Sequence, residues 1–201
     1  EWREVLDRAL RHGRVTIIDG RFHYRDPARC IEEWQLDIER LSAASDGRRH
    51  EFEGSLRPPG ALGQALKVSF EAEGPAARPE DWQWRLQLEG RELQLAWWHQ
   101  QFPWTESAYL EGAVTLAVDV AGRGVERFEG GGRFEARGFD IAGSSPDRPR
   151  LATLAFDWMA VRDEAATRVE VPQLDIEFQA RPAVQGRGIA IEAGDAGKFE
   201  L

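Results

Sequence analysis

The sequence predicts a mainly β protein whose strands are mostly antiparallel. Apolar and polar residues alternate strictly over many short segments, which is typical of strands that bury one face. Short polar turns join these segments, so that consecutive strands run antiparallel. No regular alternation of strands with long helices appears, which argues against a parallel doubly wound sheet. A closed sandwich, a barrel and one long curved sheet all satisfy this pattern.

The first segment, residues 1–12, is predicted to be an amphipathic helix that ends at Gly13. Its apolar stripe at helical spacing consists of Trp2, Val5, Leu6, Ala9 and Leu10. From Val15 onward the apolar period falls to two, which indicates a strand. The Asp19-Gly20 pair within this strand is interpreted either as a hairpin turn or as a bulge in one long strand.

The remaining segments predict roughly ten strands in total and a second, short helix near 95–103. A turn is expected around Ser45, Asp46 and Gly47, and Pro103 is expected to end the short helix. The Gly130-Gly131-Gly132 triplet is interpreted as a turn or a bend in a strand. The predicted strands centre on 34–38, 52–56, 66–72, 82–88, 110–118, 125–139, 154–158, 169–178 and 189–191.

Composition limits the classes of function that the chain can have. It has 201 residues, with 26 basic and 35 acidic side chains and a formal net charge of −9, which argues against nucleic-acid binding. No apolar run approaches the roughly 18 residues that span a bilayer. The chain begins with Glu1 and has no signal-peptide pattern, so we expect a piece of a longer protein. Cys30 is the single cysteine, which excludes an internal disulfide.

No catalytic or metal-binding constellation is expected from the sequence. The four histidines are scattered, without the spacing of metal ligands. Adjacent carboxylates on a strand point to opposite faces and cannot act as a facing catalytic pair. The Gly-rich stretches are not followed by a helix with Lys and Ser or Thr, so they do not form a phosphate loop. We therefore expect no enzyme activity, no cofactor and no metal.

Several segments resemble the large YhdP-type members of the AsmA-like family of Gram-negative envelope proteins. The first is the predicted helix that leads into the Gly13–Asp26 segment, where an apolar strand, a small acidic turn and an aromatic strand ending in Arg-Asp follow one another. The second runs from Trp34 through a basic turn and an aromatic strand to the Pro-Pro before Ala61-Leu62-Gly63. The third is the strand at 86–93, which leads into a Trp-bearing helix and a Leu-Glu-Gly-Ala strand start.

This resemblance implies one long, curved, taco-like antiparallel sheet, similar to TamB and to chorein-type lipid-transfer bridges. It implies that the chain is a single segment, 1–201, of a larger periplasmic protein anchored in the inner membrane, with sub-modules 1–104 and 105–201 as an alternative division. It also implies that the segment binds or conducts phospholipid between the two membranes and supports the outer-membrane barrier. Expected partners are acyl chains and adjacent β-modules of the parent chain, with membrane contact made only by parts outside this segment.

The residues expected to line an apolar groove for acyl chains come from nearly every predicted strand. If the sheet closes on itself, the same residues form a core instead. An alternative hypothesis is a β-sandwich module that binds a glycan or a protein through Trp97, Trp98 and Trp104. The expected groove residues are Ile17, Phe22, Trp34, Leu36, Ile38, Phe52, Val68, Phe70, Trp84, Leu86, Leu116, Phe156 and Ile176.

Overall fold

The computed structural model contains eleven strands in one antiparallel meander. It describes residues 13–26, 31–57, 65–96, 109–124, 126–142, 151–163, 166–178, 181–194 and 199–200. The strands are β1 (Gly13–Asp26), β2 (Ile31–Ser45), β3 (Arg49–Arg57), β4 (Leu66–Glu73), β5 (Gln83–Gln94), β6 (Tyr109–Arg123), β7 (Arg127–Ala142), β8 (Leu151–Arg162), β9 (Ala166–Phe178), β10 (Arg181–Gly194) and β11 (Phe199–Glu200).

Spatial order follows sequence order throughout, so each strand pairs only with its neighbours along the chain. Among the described strands β1 and β11 are the two edges, and they do not pair with each other. The result is a curved, unclosed sheet, which confirms the curved antiparallel sheet among the three predicted architectures. The sheet also continues from β5 to β6, where Gly90 pairs with Leu116.

The described residues bear differently on the two predicted helices. The segment 1–12 lies outside the described residues, and the predicted N-terminal helix has no support in the structure. Of the segment 95–103, the structure describes only Leu95 and Ala96, which are helical. A short 3-10 turn, which the sequence did not predict, spans Pro79–Asp81 before β5. Within the described part of the chain, no helix is long and apolar enough to cross a membrane.

The Asp19-Gly20 pair lies inside one long strand and forms no hairpin. β1 pairs with β2 on both sides of it, with Ile17 opposite Leu41 and Gly20 opposite Ile38. Asp19 adopts a left-handed backbone conformation, with φ of 51°, which Asp tolerates better than most residues. The alternation of β1 therefore changes phase at this point, so that odd-numbered residues before it and even-numbered residues after it share one face.

The glycine triplet lies in the interior of β7, which excludes a turn at this point and corrects that part of its interpretation. Gly132 pairs with Val118 on one side and with Trp158 on the other. A Cβ atom added at Gly132 would lie 2.9 Å from Trp158 Nε1 and would also meet the backbone oxygen of Ala117. Because Gly132 has no side chain, the indole ring of Trp158 can lie directly against the backbone of β7.

The turns that follow β2, β4 and β6 lie at one end of the sheet, which we call the hairpin end. The turn at Ser45–Gly47 is confirmed, with Asp46 Oδ1 accepting the backbone N–H groups of Arg48 and Arg49 at 2.9 and 2.7 Å. Trp82 was predicted as part of a strand, but it precedes β5 and stacks on His50, with ring centroids 4.5 Å apart. Its indole N–H donates to the Pro75 carbonyl at 2.8 Å, which ties this turn to the sheet.

Candidate functional site

Strand register places the apolar side chains on one face of the sheet, because directly paired residues point to the same side. We call this side the apolar face. Its rows of paired residues run across the strands, and a row that extends from β3 to β9 is roughly 30 Å long at the usual strand spacing. One such row consists of Leu56, Leu66, Gly90, Leu116, Phe134, Phe156 and Leu174.

Register brings together the predicted groove residues whose side chains are described. Leu36 and Ile38 are buried, whereas Ile17 and Phe22 on the edge strand β1 are 40% and 44% exposed. Trp34 pairs with Tyr24 in the backbone register, but its side chain lies outside the described part. The other predicted residues are half-buried on the apolar face: Phe52, Val68, Phe70, Trp84, Leu86, Leu116, Phe156 and Ile176.

Burial differs between parts of the apolar face, and no described strand packs over it. The best-buried cluster consists of Leu95, Val114 and Ala136, and no described large side chain is fully buried. The chain exposes 14131 Å² of surface, against roughly 9,500 Å² for a compact monomer of this size. An open sheet contributes to this excess, because its apolar side chains bury area only against lateral neighbours.

The apolar face includes residues that were not among the predicted groove residues. They follow the same two-residue alternation and the same register, so the pattern that identified their neighbours would have identified them too. Phe134 stacks on the predicted Phe156, with ring centroids 5.1 Å apart. Trp158 lies across Gly132, and the predicted Trp84 lies across Gly122 in the same manner. Further additions are Leu88, Val118, Val120, Leu154 and Leu174.

The opposite side, which we call the polar face, carries charged side chains in cross-strand pairs, together with the exposed Ile18, Met159 and Val161. Arg21 donates to Asp37 at 2.7 Å, and Arg57 donates to Glu39 at 2.9 Å. Arg85 hydrogen-bonds Asp119 and thereby holds the pKa of this carboxyl group below its usual value. Such exposed pairs stabilise a fold weakly, so their main effect is to keep this face hydrated.

The clefts that the structure describes open on the polar face. The first has a volume of about 620 Å³ and crosses β2 to β7 between rows of long side chains, over small residues such as Ala117 and Gly131. Its walls carry both signs of charge, with Lys67 and Arg133 on one hand and Glu53 and Glu89 on the other. This mixture favours neither anions nor cations. The second cleft, about 740 Å³, lies at the hairpin end of the same face.

The described residues offer no group of three His, Cys, Asp or Glu side chains that could hold a metal ion. The described histidines lie apart, on β1 and β3, and His50 is held by Ser45 Oγ at 2.9 Å and the Gly74 carbonyl at 3.2 Å. Cys30 lies outside the described residues. The described residues therefore offer a large apolar surface, on which a ligand can bury its own apolar groups without directional contacts.

No family model, curated protein or solved structure matches this chain. Its class is therefore defined by geometry alone. It is an open antiparallel β-meander that is apolar on one side and charged on the other.

Proposed function

We propose that the apolar face binds the acyl chains of phospholipids, and that the chain is a periplasmic segment of an AsmA-like envelope protein. One observation carries the proposal: an apolar face that spans β1 to β10 and has no second layer of described residues over it. Burying hydrocarbon there contributes about 0.8 kcal/mol per CH₂ group, without any need for directional contacts. The quoted resemblance to the AsmA-like family supports the cellular setting.

In that setting the segment conducts phospholipid between the inner and outer membranes and helps to maintain the outer-membrane barrier. The parent protein provides the membrane anchor, and its adjacent β-modules extend the sheet at the edges. An apolar face of this size that no described residue covers is itself a reason to expect a ligand, since monomers rarely expose large apolar patches without a binding role.

Lipid binding is tested first with the purified chain by native mass spectrometry and lipid extraction. We expect phospholipid to co-purify in stoichiometric amounts. Lipid-free protein with a sharp cooperative melt would count against the proposal and would favour a closed core or a different partner.

A matched pair of substitutions on β4 tests which face binds. Val68→Asp places a charge on the apolar face, and Ser69→Asp places the same charge on the polar face one residue away. We expect Val68→Asp to weaken lipid binding at least tenfold while lowering the unfolding free energy by only about 1 kcal/mol, because the face is open. Ser69→Asp should leave binding unchanged.

Two results contradict this expectation. If Val68→Asp costs several kcal/mol of stability, the side chain lies in a closed core where the charge has no partner. If both variants bind lipid as well as the wild-type chain does, acyl chains do not use the apolar face.

A further inference from the structure

Arg162 places a formally charged side chain on the apolar face at the end of β8. Arg162 pairs with Phe128 on β7 and with Thr167 on β9, and the register of β7 with β8 has no shift, so Arg162 shares the face of Phe156 and Trp158. The side chain is exposed and makes no ion pair with a described residue. Its register partners, Phe128 and Thr167, carry no carboxylate, so neither directly paired side chain neutralises this cation.

Trp158, four residues earlier on β8, supplies the second observation. The two other tryptophans whose side chains are described donate their indole N–H groups to backbone carbonyls: Trp82 to Pro75 at 2.8 Å and Trp84 to Gly124 at 2.6 Å. The indole N–H of Trp158 has no acceptor among the described residues, although the ring is half-buried against Gly132. A hydrocarbon chain laid over this ring would remove its water and leave the donor unpaired, which is unfavourable.

Polarity therefore changes in steps along the apolar side of β8. Leu154 and Phe156 are purely apolar, Trp158 is apolar with one free donor, Ala160 is small, and Arg162 is cationic. Four residues of strand separate Trp158 from Arg162, roughly 13 Å between Cα atoms. An ester-linked phospholipid has the same order of chemistry: hydrocarbon, carbonyl oxygen, then phosphate.

We propose that β8 orients a bound phospholipid, with its phosphate at the Arg162 guanidinium, an ester carbonyl at the Trp158 indole N–H and an acyl chain over Phe156 and Leu154. This proposal rests on the function proposed above and deepens it, because it assigns the polar end of the ligand to the hairpin end of the sheet. Arg suits phosphate because its planar fork of donors matches two phosphate oxygens. A carbonyl acceptor at Trp158 removes the cost of covering that N–H group.

Binding of three lipids to the chain tests the proposal: diacyl phosphatidylglycerol, its dialkyl ether analogue and uncharged diacylglycerol. Trp158→Phe keeps the aromatic ring and removes the N–H, so it should weaken binding of the two ester lipids about three- to tenfold and leave the ether lipid unaffected. Arg162→Gln should weaken binding of the two phosphate-bearing lipids by a similar factor and spare diacylglycerol. Arg133→Gln, which removes a charge from the polar face, is the matched control and should change none of the three affinities.

The outcomes separate this inference from the function on which it rests. If the wild-type chain binds the lipids and each variant weakens all three equally, or none, the orientation by β8 is wrong while the acyl-binding face stands. If inorganic phosphate at the same concentration displaces phosphatidylglycerol fully, the site recognises a free anion and the lipid orientation is also wrong. If the wild-type chain binds none of the three lipids, both proposals fail.

Discussion

At the scale of single residues, small side chains on the apolar face decide where the large ones lie. Gly122 and Gly132 each accept a tryptophan ring from the neighbouring strand, and neither position has room for a Cβ atom. Gly54, on the same face of β3, differs, because the nearest atom to an added Cβ there is a Phe52 ring carbon at 3.6 Å. Glycines on the same face of the sheet thus differ in packing: Gly122 and Gly132 lie against tryptophan rings, whereas Gly54 has room for a methyl group.

This difference predicts opposite effects of two alanine substitutions. Gly132→Ala should lower the unfolding free energy by about 1–3 kcal/mol, because the new methyl group meets the Ala117 backbone oxygen, which cannot rotate away. Gly54→Ala should be neutral or should stabilise by up to about 1 kcal/mol, since it restricts the unfolded chain without a clash. Urea denaturation of both variants measures this, and equal stability changes would show that the Ala117 oxygen does not crowd position 132.

At the scale of elements, side chains fix the positions of the turns at the hairpin end. In the β2–β3 turn, Asp46 accepts backbone N–H groups from Arg49 and Arg48, and these bonds lower the pKa of its carboxyl group. Gly47, between Asp46 and Arg48, adopts a left-handed backbone conformation with φ of 90°. The turn therefore depends on a carboxylate in its ionised form.

Because the pKa of Asp46 is lower in the folded chain than in the unfolded one, the turn's contribution to stability is present above the unfolded value, about 3.9, and is lost as pH falls through the folded value. Asp46→Ala should therefore be less stable than the wild-type chain at pH 7, and the difference should shrink below about pH 4. Urea midpoints of both proteins between pH 7 and 2.5 measure it. A difference that stays constant over this range would mean that ionisation of Asp46 does not matter.

At the scale of the whole molecule, the sheet is built from one repeated contact, the pairing of strands that follow each other in the sequence. Each strand packs on the strands before and after it, so the described fold has no central core comparable with that of a sandwich. Burial is instead spread thinly over the apolar face. A ligand on that face would add the apolar contact that a second sheet provides in a sandwich.

An open sheet should be measurably larger than a compact protein of equal length. A compact chain of 201 residues has a radius of gyration of about 16.5 Å. We expect solution scattering of the lipid-free monomer to give a value clearly above this, and we expect lipid to change it little, because the ligand fills the face without closing the sheet. A radius of gyration near that of a compact chain would mean that the sheet closes in solution.

The sequence by itself determined most of the strands, their antiparallel arrangement and part of the membership of the apolar face. Strict alternation predicted the segments around Phe52, Phe70 and Leu86, and strand register placed these three in one row because cross-strand pairs share a face. The Ser45–Gly47 turn was equally predictable from its local chemistry. The proposed acyl-binding surface was therefore largely visible in the sequence.

Only the tertiary structure decided that the sheet is open, because alternation is the same for a core and for an uncovered face. It also decided that β1 continues through Asp19 and that Gly132 lies beneath Trp158, since both depend on pairing with a neighbouring strand. The place of Arg162 on the apolar face was established in the same way. Its position follows from register, which the local sequence cannot specify.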